Sequence, residues 1–371
     1  MSKTIVVLGG SMAGLNIVHR LLKYTLPHES DFKVILVSKN SHFYWNCASP
    51  RGVIPGLIPD EEYIQAIAPG LDKYPLESNE FIVGSATGVD KTSRQVTVST
   101  ADGTRQVKYD YLVIATGARC TEDTLPWKAN NTYEELIESI HRTQENIKQA
   151  KHIVVAGAGA TGVELCGELK FEYEDKQVLL LCADEKLVGG DSCHASMEKG
   201  LKSMHVEIKK SARVEGTKTL DNGKTEITLG NDEKITTDYY VATMGMVPNT
   251  EFLPAEWLTD RKYLNVDDNF QVVGEKGVWS LGDAVSRPRA SFPETEAQGG
   301  AVHKNIEAVL KGKNQSRVKG LPADVFVCSM GRSRGVGRIG WVPAPSLAIW
   351  AIKGRTLGRE RTSKYVDGSA F

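Results

Sequence analysis

The chain has 371 residues, 41% of them hydrophobic and 25% charged, which excludes a disordered or fibrous protein and predicts two or three folded domains. No apolar run reaches membrane-spanning length, the first strand starts too early for a secretory leader, and serine at position 2 argues against N-myristoylation. The net charge of −1 conceals an imbalance: from Lys311 to Phe371 there are 12 Lys and Arg against 3 Asp and Glu, a segment of +9 against a remainder of −10.

The opening strand, Thr4 to Leu8, is apolar and largely β-branched, as a parallel strand covered on both faces should be. A helix is predicted from about Ala13 to Tyr24, and "KVILVS" (Lys33 to Ser38) completes a βαβ unit. A Pro/Gly-rich loop, "NCASPRGVIPG", precedes two strand signals, "FIVGSATGVD" and "QVTVST", and the turn residues Asp102-Gly103. "YDYLVIATGAR" (Tyr109 to Arg119) reads as another buried strand, ending in small residues. A helix is predicted over Tyr133 to Lys151, with Glu134, Glu135 and Glu138 early and Lys148 and Lys151 late, the order the helix dipole favours. A second βαβ unit begins at Ile153 and continues through "QVLLLCAD" (Gln177 to Asp184) and a helix near Ala195 to Met204. It reaches "DYYVATMGMVPN" (Asp238 to Asn249) by way of a hairpin at Asn222-Gly223. After "VWSLGDAVS" come a helix near Glu296 to Leu310 and a basic loop, Lys311 to Lys319, leading into a C-terminal lobe.

Both βαβ units open on a glycine-rich loop. Gly157-Ala158-Gly159-Ala160-Thr161-Gly162 fits G-x-G-x-x-G: Gly157 for the tight turn, Gly159 for close approach of a pyrophosphate, Gly162 for packing helix on strand. The helix start supplies free N–H groups and partial positive charge for phosphate. Asp184, about 20 residues beyond Gly162, is placed to accept from a ribose 2′-OH and to repel a 2′-phosphate, which favours NADH; Lys186 beside it leaves NADPH open. The first copy is Gly9-Gly10-Ser11-Met12-Ala13-Gly14, in which Ser11 replaces the second glycine and offers a hydroxyl donor to phosphate. Ser38 and Lys39 stand where the ribose acid of this unit is expected. Ala115-Thr116-Gly117 is small enough for flat rings to lie against, and Gly282-Asp283 offers a carboxylate to the hydroxyls of a polyol chain. Arg51 is a candidate phosphate clamp, and Ala86 and Gly245 complete the candidate cofactor-binding set. Taken singly, each of these reads equally as a strand end, a helix cap or a surface arginine; together with two nucleotide loops they point to two cofactors.

The order of GGSMAG, ATG, GAGATGVE and SLGD resembles the two-dinucleotide-binding-domain flavoproteins, in which the first unit holds FAD and the second NAD(P)H. "CSMGRSRGVGRIG" (Cys328 to Gly340) and "AIKGRTLG" (Ala351 to Gly358) are similar to the apoptosis-inducing-factor-like and ferroptosis-suppressor group of FAD-dependent NAD(P)H:quinone oxidoreductases. The resemblance implies an α/β chain with two Rossmann-like dinucleotide-binding domains, of the pyridine nucleotide-disulfide oxidoreductase type, and a small C-terminal lobe. FAD is then held by residues 1–118 and 247–320 and NAD(P)H by 119–246, while 321–371 covers the flavin. It further implies hydride transfer through flavin to a quinone or similar aromatic acceptor.

Two catalytic residues follow from the resemblance. Glu164 matches a glutamate that orients the nicotinamide, although a helix-cap acid would look the same. Lys353 matches a C-terminal lysine that stabilises negative charge beside the flavin, although it is also one basic residue among many. Cys47 lies where single-cysteine relatives carry a redox thiol, but the large dimerisation domain of those enzymes has no counterpart here. The six cysteines, with no C-x-x-C pair and no metal-ligand spacing, read as reduced thiols of a cytoplasmic protein without a metal. Trp341, Leu347, Ile349, Trp350 and Ile352 among basic residues suit either a lid over the flavin or a surface resting on an anionic membrane. Two rival readings remain at this level: an oxidoreductase of the same fold dedicated to one metabolite, and a redox-sensing interaction protein that uses the +9 lobe. Nucleic acid is disfavoured as a partner.

Overall fold

The apolar runs Lys3–Leu8, Phe32–Ser38 and Tyr111–Ile114 offer water no polar face, so they pair with one another in the interior. The computed structural model, which describes residues 3–29, 31–122, 124–285 and 291–371, joins them with Asn79–Val83 and Val278–Ser280. The result is an all-parallel sheet in the order 278–280, 111–114, 3–8, 32–38, 79–83. Ser2 and Ser286, the last residue of "VWSLGDAVS", lie outside the described residues. The strand order reverses between Lys3–Leu8 and Tyr111–Ile114, and α/β sheets leave a ligand crevice above such a reversal.

"FIVGSATGVD" is two strands rather than one. Asn79–Val83 belongs to the parallel sheet, while Ser85–Asp90 starts an antiparallel meander with Gln95–Thr100 and Gly103–Lys108. Gly84 makes the change of sheet feasible, because a Cβ there would stand 2.7 Å from the Ser99 carbonyl oxygen.

The second unit repeats the plan. His152–Ala156 lies between Gln177–Leu181 and Tyr239–Ala242, with Glu207–Lys209 on the edge, all parallel. The following helix, Ala160–Glu172, is buried continuously from Gly162 to Lys170. By contrast the helix Tyr133–Gln149 keeps one polar face, and the Thr132–Glu135 capping box with Glu134 fixes its start as the charge order predicts. The two chain crossings between the units run side by side, Ala118–Cys120 antiparallel to Met246–Pro248.

The C-terminal segment forms a small antiparallel sheet, Val325–Met330, Arg334–Ile339 and Val342–Pro343, laid on the helix Ala160–Glu172. The approach is close: a Cβ on Gly167 would stand 2.7 Å from the Gly331 nitrogen. The chain then returns to the first unit, where Trp45 Nε1 donates to the Leu357 carbonyl at 2.8 Å and Tyr365 stacks on Phe43.

Two buried imidazoles bind this fold to pH. His19 Nδ1 meets the Tyr74 hydroxyl at 3.0 Å, and His303 Nε2 meets Thr25 Oγ1 at 2.9 Å. Burial pushes both down to about 4. They are therefore neutral in the fold but protonate in the unfolded chain from about 6.5 downward. Their contribution is complete above about pH 6.5 and is lost as pH falls toward 4, by up to about 1.4 kcal/mol per imidazole per pH unit. Thermal melting across this range should show the loss, and His303→Gln should flatten it; an unchanged slope in the variant would refute the assignment.

Candidate functional site

The two glycine loops are shaped by backbone contact. Gly9 has φ +107°, and a Cβ on it would overlap the Ala115 carbonyl at the end of the neighbouring strand. A Cβ on Gly14 would overlap the Gly9 carbonyl, so the helix Met12–Arg20 starts hard against the turn. Gly10 faces Ser38, whose Oγ would be 2.7 Å from an added Cβ, and Ala13 is buried beside Gly282. Ser11 is the N-cap; its side chain is exposed and makes no capping bond, so the hydroxyl is free to face a ligand. In the second loop Gly157 (φ +110°) presses on Thr243 and Gly162 on the Gly157 carbonyl, while Gly159 opens to empty space.

That space belongs to a cavity of ≈ 300 Å³ lined by Gly157, Gly159, Asp184, Lys186, Arg213 and Met244. The strand stops at Leu181, three residues short of the predicted end, and Asp184 is exposed at the cavity. A cradle open only at Gly159, a helix start behind it and a carboxylate beyond fit the pyrophosphate and ribose of a nicotinamide dinucleotide. Lys186 and Arg213 add two cations to the lining of the cavity.

At the mouth of the first sheet, Thr116 Oγ1 donates to the Asn249 carbonyl and Asn249 Nδ2 returns a bond to the Thr116 carbonyl, at 2.8 and 2.9 Å. This holds the Ala115-Thr116-Gly117 turn, where Gly117 (φ +64°) fronts open space. Gly282 N donates to Gln298 Oε1 at 2.9 Å, and Asp283 Oδ2 lies 2.7 Å from Lys128 Nζ. Burial alone would lower the Lys128 ammonium, but Asp283 outweighs it and raises it. Ser38 Oγ donates to the Asn40 carbonyl, and Lys39 is exposed beside Asn131. Ala86 pairs with Val98 in the meander, and Gly245 (φ +75°) lies against Thr121 where the two crossings meet.

Arg51 is not a phosphate clamp. It is buried, with Nε and Nη2 on Glu168 Oε1 at 3.0 and 2.7 Å, Nη2 on the Gly354 carbonyl at 2.7 Å and Nη1 on the Arg355 carbonyl at 2.9 Å. A guanidinium so committed has no face left to grip a pyrophosphate. Its partners belong instead to the helix Ala160–Glu172 and the C-terminal lobe.

The two predicted catalytic residues meet. Glu164 Oε1 lies 2.6 Å from Lys353 Nζ and accepts from the Ser329 amide at 2.8 Å, and Glu164 is buried. Burial opposes the Lys353 charge, yet Glu164 reverses this and raises the ammonium. Glu164 and Glu168 stand one helical turn apart on the same face, each paired to a cation from a different part of the chain. Cys47 lies within electrostatic reach of Lys353, Lys128, Glu164 and Asp283, and burial pushes its thiol up. All six cysteines are free, and among the described residues no three His, Cys, Asp or Glu gather to hold a metal.

Sequence reasoning missed Lys128, Glu168 and Arg213. Glu168 carried a usable signal, a second carboxylate four residues after Glu164; Lys128 and Arg213 carried none, because their partners are remote in the chain.

Parallel sheets with a glycine loop at each reversal, capped by a lobe that reaches the second loop's helix, define an oxidoreductase fold built for two dinucleotides. The chain belongs to the pyridine nucleotide-disulphide oxidoreductase family, which matches residues 3–332. It is thus a flavin-dependent NAD(P)H oxidoreductase, with FAD and NAD(P)H as cofactors. It is 36% identical to oxidoreductase ptaL of Pestalotiopsis fici over 99% of both chains. It is 24% identical to ferroptosis suppressor protein 1 of Mus musculus, covering 95% of this chain and 93% of the other. The sulfide:quinone oxidoreductase of Aquifex aeolicus shares the fold with a TM-score of 0.77 at 17% identity, over 99% of this chain and 92% of that one.

The Arg51–Glu168 pair generates a stability test. Glu168→Ala leaves a buried guanidinium without its carboxylate and should cost about 3–5 kcal/mol in chemical denaturation. A loss within the scatter of surface substitutions would show that the pair carries no such weight.

Proposed function

We propose that the protein passes two electrons from NAD(P)H through FAD to a quinone or similar aromatic acceptor. The observation that carries this reading is the Glu164–Lys353 ion pair, which joins the helix of the second nucleotide loop to the C-terminal lobe. When bound, FAD supplies the chemistry, taking a hydride from the nicotinamide and handing electrons to the acceptor. On this reading residues 1–118 and 247–320 hold FAD, 119–246 hold NAD(P)H and 321–371 cover the flavin.

The protein's part is position and charge. Gly9, Gly14 and the Ser11 hydroxyl present a helix start to one pyrophosphate; Gly157, Gly159 and Gly162 present another, with Asp184 at the ribose. Asp283, held by Lys128, accepts from the polyol chain. Glu164 orients the nicotinamide, and Lys353 sets a fixed cation where negative charge gathers; each is held by the other, so neither needs to reorganise during the reaction. The raised thiol of Cys47 disfavours a thiolate relay and supports direct delivery to an acceptor that reaches the flavin. The quinone named for the sulfide:quinone oxidoreductase, a protein of this fold, lends support of the same kind.

The purified protein should be yellow. Glu164→Gln should retain its flavin but be reduced by NADH about ten- to a hundredfold more slowly in stopped flow. Lys353→Met should slow the acceptor half-reaction instead; normal rates in both variants would refute the assigned roles. A steady-state panel of quinones tests the acceptor. Turnover with some of them supports the proposal, whereas rapid flavin reduction with negligible turnover on all would reassign the acceptor to a dedicated metabolite.

A further inference from the structure

From Ile339 to Ile352 the chain reads IGWVPAPSLAIWAI, without one charged side chain. The structure divides its large residues between two sides of a thin layer. Ile349 is buried over Gly335 and Gly337, where added Cβ atoms would stand 2.5 and 2.8 Å from its side chain, and the Trp350 indole donates to the Arg332 carbonyl at 2.7 Å. Ile339, Trp341, Val342, Leu347 and Ile352 are left outside, 55%, 92%, 69%, 73% and 67% exposed. Exposed apolar residues scattered singly need no explanation, but five within one uncharged stretch mark a contact surface.

We infer that this ridge docks the protein on a lipid bilayer bearing anionic headgroups. Trp341 stands at the turn of a hairpin, beside Gly340 (φ +57°), with 92% of its surface exposed, and Leu347 and Ile352 stand on the adjoining helical turn. A protruding tryptophan flanked by aliphatic side chains suits the boundary between headgroups and acyl chains, whereas a peptide ligand requires a groove. Ile349 and Trp350 already fix the turn from below, so docking orders nothing new. Arg334 and Arg355 border the stretch, both exposed and with no carboxylate within ion-pair distance among the described residues, in a segment of +9. Phosphate headgroups neutralise those cations; a two-fold contact with a second copy would bring them together in one dehydrated interface.

The same turn bears Lys353 on its inner side, so docking would bring the acyl boundary close to the flavin mouth. That link extends the proposed function and rests on it, but the surface is tested without turnover, and its failure would leave the acceptor assignment standing. The holoprotein is centrifuged with vesicles of phosphatidylcholine containing phosphatidylserine and with pure phosphatidylcholine vesicles. It should co-sediment with the former and much less with the latter. Its indole emission should shift to the blue chiefly through Trp341, which is fully exposed, since Trp45, Trp127, Trp257 and Trp279 are buried and the half-buried Trp350 already donates to a carbonyl. Arg334→Gln should weaken binding about fivefold. The double variant Trp341→Glu, Leu347→Glu should lose both binding and shift while keeping the flavin spectrum and melting temperature. Wild-type protein that stays in the supernatant with anionic vesicles would overturn the inference. So would a double variant that binds like wild type, or a wild-type dimer that only the double variant dissolves.

Discussion

Gly9 lies against the carbonyl of Ala115 and Gly157 against Thr243, and in neither place is there room for a Cβ. These contacts set the distance between the central strand of each sheet and the strand beyond its reversal, and they aim the following helix into the crevice. Gly14 and Gly162 then seat the helix on the turn, overlapping the carbonyls of Gly9 and Gly157 if either gained a side chain. On the proposed reading, the grip on two diphosphates therefore depends on backbone geometry that no charged group has to create. The positions that touch backbone or turn the chain are shared in kind, Gly9 with Gly157 and Gly14 with Gly162, while the position open toward a ligand differs, Ser11 in one loop and Gly159 in the other.

The second constraint is the helix Ala160–Glu172, which is shared by everything around it. Its first turn belongs to the second phosphate loop, while its buried face supplies Glu164 to Lys353 of the lobe and Glu168 to Arg51 of the first unit. Arg51 in turn holds the carbonyls of Gly354 and Arg355, the residues that directly follow Lys353. Buried ion pairs are poor sources of net stability, but mispairing them is costly, so they specify register. Here they make one arrangement of two nucleotide units and a lobe much better than its neighbours, and Lys353 is placed only when all three have docked.

What was legible in the sequence was local. Apolar runs, glycine spacing and the charge order of Tyr133–Gln149 are properties of adjacent residues, and they gave the two βαβ units with ends correct to within a few positions. The splitting of "FIVGSATGVD" at Gly84 was not legible, because it depends on the Ser99 carbonyl of a later strand. Arg51 was misread for the same reason: its proximity in sequence to the first loop suggested phosphate, whereas its partners lie on Glu168 and beyond residue 350. Composition also could not separate Ile349, which is buried, from Leu347, which is exposed, since only the glycines of a facing strand decide between them.

The charges around Cys47 come as two pairs, Lys353 with Glu164 and Lys128 with Asp283. Either lysine alone would face a desolvation cost at this depth, which is why burial opposes both ammonium groups and only the carboxylates keep them charged. Pairing has a consequence for field strength. A cation beside its own carboxylate projects a dipole, which acts over a short distance and in one direction, so its effect on a bound ring depends on orientation more than on net charge. On the proposed reading Glu164 faces the hydride donor and Lys353 the flavin. The dipole would then lie along the route of the electrons, and the Ser329 amide, by binding the same Glu164 oxygen, fixes its direction. Such a site tolerates a basic or acidic surface elsewhere but not a rotation of the turn that carries Lys353, and the Arg51 clamp on the next two carbonyls opposes that rotation directly.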